Sequence, residues 1–305
     1  MSTEVMSTDA PILTILGPTA SGKSALAIRM AKHLGAEILS ADSRQCYEGM
    51  VIGTSAATPE EQEGIPHHYV QIVSPHEPET ASSFQQTAAT IIEETQSRNI
   101  PLIIVGGSTL YLQALLFPLE AVPPSKAQNL EVLQEEEKSI GLEGLYQKLQ
   151  RVDPTYASQM DGLNRQRILR SLDVWMQTGR PFSSFHSRQQ GFETPTNPVL
   201  RSQPVFGLFM DRAILHDRIA SRVEAMIQKG LQQEVDMLLA SGCSWDSNPM
   251  KSVGYREWKP FFEGSATLRE TQEAINIATR QYAKRQMTWF RRWPFIQWVQ
   301  AGVNH

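Results

Sequence analysis

Three short stretches of the chain carry residues able to do chemistry. Gly17-Pro18-Thr19-Ala20-Ser21-Gly22-Lys23-Ser24 fits the pattern G-x-x-x-x-G-K-[ST] in full. In such a loop the glycines let backbone N–H groups curl around phosphate oxygens, and the dipole of the following helix favours the anion. Lys23 adds a point charge, and the Ser24 hydroxyl suits Mg²⁺. The pattern speaks strongly for phosphate and not for which phosphate compound; a chance glycine-rich turn is the competing reading. Asp42 comes second. A carboxylate at the end of a predicted strand can take a proton from a substrate amine or hydroxyl, or hold Mg²⁺ through water, whereas the plain alternative is a solvated Asp that opens a turn. Third is Gly106-Gly107-Ser108. Its glycines let a ligand approach the backbone, and its hydroxyl either donates to a diphosphate oxygen or simply caps the next helix. P-loop nucleotide hydrolases carry an acidic residue at such a strand end. None stands here, which argues against ordinary ATP or GTP hydrolysis.

These residues need a frame that delivers them to one edge. An apolar run over residues 11–16 enters the phosphate loop, and a helical pattern follows over 23–34 with Leu26, Met30 and Leu34 on one side. Residues 37–41 read as a second strand ending at Asp42, 51–64 as a polar loop, and 68–73 as a strand. A helix capped by Ser82 or Ser83 runs to Arg98, then the near-continuous apolar run 101–105 reads as a strand buried on both faces. A helix over 109–117 follows its glycines. Residues 205–210 restore a core strand, and 295–299 form a last one. This alternation predicts an α/β fold, a P-loop NTPase-like parallel sheet flanked by helices. Between prolines at 118 and 204 the chain turns helical and charged, so the expected division is a core of 9–117 and 203–305 with a helical insertion domain at 118–202.

The 305 residues are 41% hydrophobic and 20% charged, enough for a sizeable core. A net charge of −4 gives no global attraction for nucleic acid, so any such surface must be local. Two clusters qualify. In residues 279–292 five basic residues (Arg280, Lys284, Arg285, Arg291, Arg292) occur with no acidic one. On a helix, Ile275, Ala278, Tyr282 and Trp289 make its apolar stripe, with Arg280, Lys284 and Arg291 opposite. Arg165, Arg167, Arg170, Arg180 and Arg188 make the second cluster, after an acidic stretch at Glu131 and Glu135–Glu137. Phosphate contacts and a merely solvated charged face are both open readings of such runs. Two distant cysteines, Cys46 and Cys243, read as reduced thiols, and His67-His68 lacks a third ligand for a metal. With neither a secretory pattern nor an apolar stretch of membrane-spanning length, the expectation is a cytoplasmic monomer with no membrane partner.

Taken together, these motifs resemble the tRNA dimethylallyltransferase (tRNA isopentenyltransferase) family, in its bacterial form without a C-terminal zinc finger. The resemblance spans about residues 11–299. It rests on GPTASGKS at 17–24, SADSRQCYEGMVIGT at 40–54, IPHHYVQIVSPHEP at 65–78 and PLIIVGGSTLYLQAL at 101–115. It continues in NRQRILRSLDVWMQTGRP at 164–181, MKSVGYREW at 250–258 and TRQYAKRQMTWFRR at 279–292. It implies transfer of a dimethylallyl group from dimethylallyl diphosphate to N6 of the adenosine at tRNA position 37, just 3′ of the anticodon. Asp42 is then the base, while the P-loop, Mg²⁺ at Ser24, Ser108 and Arg218 hold the leaving diphosphate. Asp42, Ser43, Arg44 and Gln45, with Gln166, Arg167, Ile168, Leu169 and Arg170, match tRNA-contacting segments, and the insertion closes over the RNA. The match is imperfect. The family's D-I-G-T-A-K-P is Val51-Ile-Gly-Thr-Ser-Ala-Ala57 here, without its Asp and Lys; Ser108 replaces a Thr; and the helix near Leu130–Leu133 lacks a usual basic residue. Competing functions are an adenylate isopentenyltransferase acting on free nucleotide, a P-loop small-molecule kinase, and a non-catalytic RNA-binding module. The two basic clusters and the large insertion favour RNA over a free nucleotide, the missing acidic strand end counts against a kinase, and intact Lys23, Ser24 and Asp42 count against a non-catalytic module.

Overall fold

A computed structural model describes residues 10–118, 122–160, 162–185 and 192–301. Six strands form one sheet: β1 (Ile12–Leu16), β2 (Glu37–Ser40), β3 (His67–His68), β4 (Leu102–Gly106), β5 (Val205–Phe209) and β6 (Gln297–Gln300), in the order β3-β2-β4-β1-β5-β6. Every pairing is parallel. Strands β1, β2 and β4 are buried along their whole length, which accounts for the apolar run of β4, while β1 and β2 also bury Thr14, Glu37 and Ser40. Because the strands run the same way, the loops after β1, β2 and β4 meet at one edge. These loops carry Lys23, Asp42 and Ser108, at the carboxyl end where open α/β sheets bind ligands.

Helices α1 (Lys23–Leu34), α2 (Pro59–Gln62), α3 (Ala81–Ser97) and α4 (Thr109–Leu116) precede the insertion. The insertion contains α5 (Ala127–Val152), α6 (Pro154–Ser158) and α7 (Arg165–Thr178), and the core resumes with α8 (Arg212–Gln228), α9 (Leu231–Ala240), α10 (Lys259–Phe262) and α11 (Leu268–Phe290). Two compact units result, residues 1–117 with 193–305 and residues 118–192. The second unit is therefore shorter than the predicted 118–202. Residues 193–202 belong to the first because Asn197 donates its side-chain amide to the Leu115 carbonyl at 2.8 Å and Leu200 is buried. The insertion has its own apolar centre, in which Leu133, Leu145, Leu149, Ile168 and Leu172 are fully buried.

Several elements depart from their sequence patterns. The strand expected over 68–73 stops at His68 because Tyr69 and Gln71 take left-handed φ of 65° and 54°. The chain there turns to bond the loop after β2 instead, with N–H groups of Gln71, Ile72 and Val73 donating to Gln45 and Cys46 carbonyls. The 51–64 loop contains the one-turn helix α2, started by a reciprocal Thr58–Glu61 cap. Helix α3 starts earlier than predicted, with Thr80 as cap and Ser83 answering it. On α1 the fully buried face is Ala27 and Ala31, small residues that let the helix lie close to the sheet, while Leu34 is exposed. No described helix is long and apolar enough to cross a membrane.

Candidate active site

The phosphate loop leaves β1 and enters α1 through Gly22, whose φ of 89° only glycine adopts without strain. Within it, the Lys23 ammonium donates to the Pro18 carbonyl at 2.8 Å. Surrounding protein desolvates this ammonium and lowers its pKa to about 8; Asp42 pulls it back up and the Arg222 guanidinium pushes it further down. The loop is also held from outside. Gln286 of α11 is buried, accepts from the Thr19 N–H at 2.9 Å and donates to the Gly107 carbonyl at 2.7 Å. One side chain thus pins the loop after β1 to the loop after β4.

Asp42 follows β2 directly. Its Oδ1 accepts from the N–H groups of Arg44 at 2.9 Å and Gln45 at 3.4 Å, so it does open a turn. It also faces a cavity that Lys23 and Ser24 share. The turn bonds and the place on the cavity lining thus coexist in one carboxylate. Strand β4 approaches the same place closely: a Cβ on Gly106 would overlap the Ala41 carbonyl, and one on Gly107 would overlap the Gln286 amide. Ser108 stands at the cap position of α4, yet its hydroxyl makes no cap bond. That hydroxyl belongs to a buried residue lining the cavity.

The cavity has a volume of about 400 Å³, within the range of small-molecule sites. Its walls include one carboxylate, Asp42, and six cations: Lys23, Arg44, Arg222, Lys251, Arg256 and Arg285. In a chain of net charge −4 this local excess marks a site for a polyanion. Apolar side chains of Val223, Met226 and Ile275 line it as well, beside the Tyr282 ring. Burial, reinforced by the Asp42 charge, raises the Tyr282 pKa, so this hydroxyl stays neutral.

Sequence reasoning missed Arg222. It donates to the Thr54 carbonyl at 3.1 Å, and burial lowers its pKa against the opposing pull of Asp42. Arg218, one helical turn earlier on α8, does not line the cavity; a Cβ on Gly22 would meet its Nη1 at 3.6 Å. The one-turn spacing of two arginines on an amphipathic helix was the available signal. Gln286 gave none, because a glutamine in a basic segment looks like a surface residue.

The basic clusters are divided by the fold. On α11, Arg285 lines the cavity and Lys284 is exposed, as is Arg291 just past the helix end. Arg280 does not share their face, since it is half-buried with its Nε shut away from solvent and unpartnered. Arg44, which lines the cavity, donates to the Asn248 carbonyl at 3.0 Å. In the insertion, Gln166 and Arg167 are exposed, whereas Ile168 and Leu169 are corrected to core residues, at 0% and 6% exposure. Arg170 is spent locally, bonding Asp173, Ser125 and the Pro123 carbonyl. Arg165 pairs with Glu137, Arg180 stacks on Phe185, and Arg188 lies outside the described residues. Among the described residues no group of three or more His, Cys, Asp or Glu side chains could hold a metal.

Comparison with known proteins adds to this geometry. Residues 45–293 match the family model described as IPP transferase. A tRNA dimethylallyltransferase 2 of Geotalea uraniireducens is 41% identical over 289 residues, covering 95% of this chain and 92% of the relative. A tRNA dimethylallyltransferase of Pseudarthrobacter chlorophenolicus is 40% identical, covering 95% and 93%. Among solved structures, the tRNA isopentenylpyrophosphate transferase of Bacillus halodurans aligns at a TM-score of 0.66 and 33% identity, over 95% of this chain and 89% of that one. A eukaryotic dimethylallyltransferase caught acting on tRNA aligns at a TM-score of 0.80 and 25% identity, over 96% and 74%.

Proposed function

Because this chain belongs to the IPP transferase family, we propose that it is a tRNA dimethylallyltransferase, moving the dimethylallyl group of its diphosphate onto N6 of adenosine 37. The observation that carries this reading is one cavity in which the phosphate loop and Asp42 face each other among six cations. Adenine N6 is a weak nucleophile because its lone pair is delocalised into the ring. Rate must therefore come from stabilising negative charge on the departing diphosphate and from removing the N6 proton. The P-loop amides, Lys23, Arg222 and the uncommitted Ser108 hydroxyl supply the first, and Arg218, off the cavity lining but beside Gly22, adds positive charge at the phosphate loop. Asp42 supplies the second. The C1–O bond of the donor breaks, the N6–C1 bond forms, the N6 proton passes to Asp42, and diphosphate leaves.

Mg²⁺ fits the residues present. Such an ion takes one or two protein oxygens and completes its shell with water and phosphate, and Ser24 with Asp42 through water offers that set within the one cavity. When bound it would neutralise diphosphate charge. The target base must leave its stack to enter the cavity. Arg44, Lys284 and Arg285, with Gln166 and Arg167 on the insertion, are among the RNA contacts in this reading, and the insertion closes over the RNA.

Asp42→Asn tests the assignment, since asparagine keeps the Oδ1 acceptor of the turn while losing the carboxylate's charge and basicity. Transfer from labelled dimethylallyl diphosphate to unmodified tRNA should fall on the order of 10²–10⁴-fold with tRNA affinity unchanged. Equal loss of affinity and turnover would contradict the role. Prenylated AMP with unmodified tRNA left untouched would overturn the RNA acceptor, and phosphorylated product from labelled ATP would overturn the reaction class.

A further inference from the structure

We infer that Glu234, a residue outside the cavity wall, is a positioning residue that aims Arg222 at the diphosphate; the inference rests on the transfer reading above. Glu234 lies on α9 and is 3% exposed. Its Oε2 accepts from the N–H groups of Val51 at 2.9 Å and Ile52 at 2.6 Å, and its Oε1 from the Gly53 N–H at 2.9 Å. Oε1 also accepts from the Tyr255 hydroxyl at 2.6 Å. Three consecutive amides on one carboxylate force the 51–53 segment to curl around it. Tyr255 is pressed against the same curl, for a Cβ on Gly53 would stand 2.5 Å from its ring.

The curl has a consequence one residue on. It turns the Thr54 carbonyl to accept from Arg222 Nη2 at 3.1 Å and from the Gln45 side-chain amide at 3.3 Å. Gln45 in turn donates its backbone N–H to Asp42. Gly53, Thr54, Ser55 and Tyr255 all line the cavity. A single carboxylate thereby fixes two cavity walls and, through the Thr54 carbonyl, the direction of a guanidinium that interacts electrostatically with both Lys23 and Asp42. As an acceptor for three backbone amides and a hydroxyl, this carboxylate also stabilises the curl; its positioning role rests on the carbonyl that the curl presents to Arg222.

The test uses inorganic diphosphate, the product, as probe in titration calorimetry on the full chain, beside steady-state kinetics. Glu234→Gln leaves one oxygen where two served and sets an amide against the backbone donors. It should weaken diphosphate binding roughly tenfold or more and raise the KM for the prenyl donor alike, with tRNA affinity unchanged. In an Arg222→Ala background the same change should cost nothing further. Tyr255→Phe, which removes one hydroxyl, should move diphosphate affinity the same way by less, and decides the matter alone should Glu234→Gln not fold. Wild-type diphosphate affinity in these variants, with or without a lower melting temperature, assigns Glu234 to stability and overturns the inference. Absence of diphosphate binding by the unaltered protein would instead sink the transferase reading, and this one with it.

Discussion

At Asp42 the two demands on one carboxylate are separable. Oδ1 is engaged by the Arg44 and Gln45 amides, and the group as a whole faces the cavity. That is why Asp42→Asn and Asp42→Ala should differ: the alanine also releases the turn carrying Arg44 and should lower tRNA affinity, as a binding titration of both variants would show. Gln286 presents the opposite case, a neutral side chain with no chemistry of its own. Gln286→Ala leaves the Thr19 N–H and the Gly107 carbonyl without their partner. Each orphaned group costs about 1–3 kcal/mol where water cannot replace the bond. We expect a lower denaturation midpoint and a fall in kcat/KM for the donor larger than that for tRNA. The roles of Gln286 and Glu234 were not legible in the sequence, and Arg222 showed there only as an arginine one turn after Arg218. The P-loop, Asp42 and Ser108 announce themselves by local spacing, whereas Gln286 matters through a backbone 267 residues away.

Among the elements, the packing of β4 against the loop after β2 leaves no room for a side chain. Gly106→Ala would drive a methyl group into the Ala41 carbonyl, and overpacking of this kind costs about 1–3 kcal/mol. Urea unfolding should show a lower midpoint with an unchanged slope. Beside it, Glu37 of β2 joins three elements, accepting two bonds from Arg98 at the end of α3 and meeting His68 of β3 at 2.6 Å. The Arg98 bonds, aided by His68 and opposed by burial, hold its carboxyl below the ordinary value near 4.5. A depressed carboxylate stabilises the fold above its unfolded value and loses that contribution as pH falls through the folded one. Glu37→Gln should therefore flatten the acid limb of the stability profile below about pH 4.5 while lowering stability at neutral pH; a parallel shift of the whole profile would refute the linkage. Strand and helix order was readable because apolar runs and caps are local signals. The third strand was not, since its apolar residues beyond His68 pair with the 45–48 loop rather than with the sheet.

Across the whole molecule, positive charge is rationed. Much of the insertion's basic content is consumed internally, by Glu137, Asp173 and backbone carbonyls, and the exposed cations left for a long polyanion include Arg167, Lys284 and Arg291. Arg167→Ala and Lys284→Ala should each flatten the dependence of log K on log salt for tRNA binding by about 0.7 while sparing kcat at saturating tRNA. An unaltered slope would remove that residue from the RNA surface. The reach of Gln286 from α11 back to Thr19 and Gly107 has a last consequence, in the order of synthesis. A ribosome makes the phosphate loop and then strand β4, but Gln286, the clamp joining them, follows Thr19 by 267 residues and Gly107 by 179. Nascent fragments that stop before α11 would thus carry the phosphate-loop sequence with the loops after β1 and β4 still unjoined.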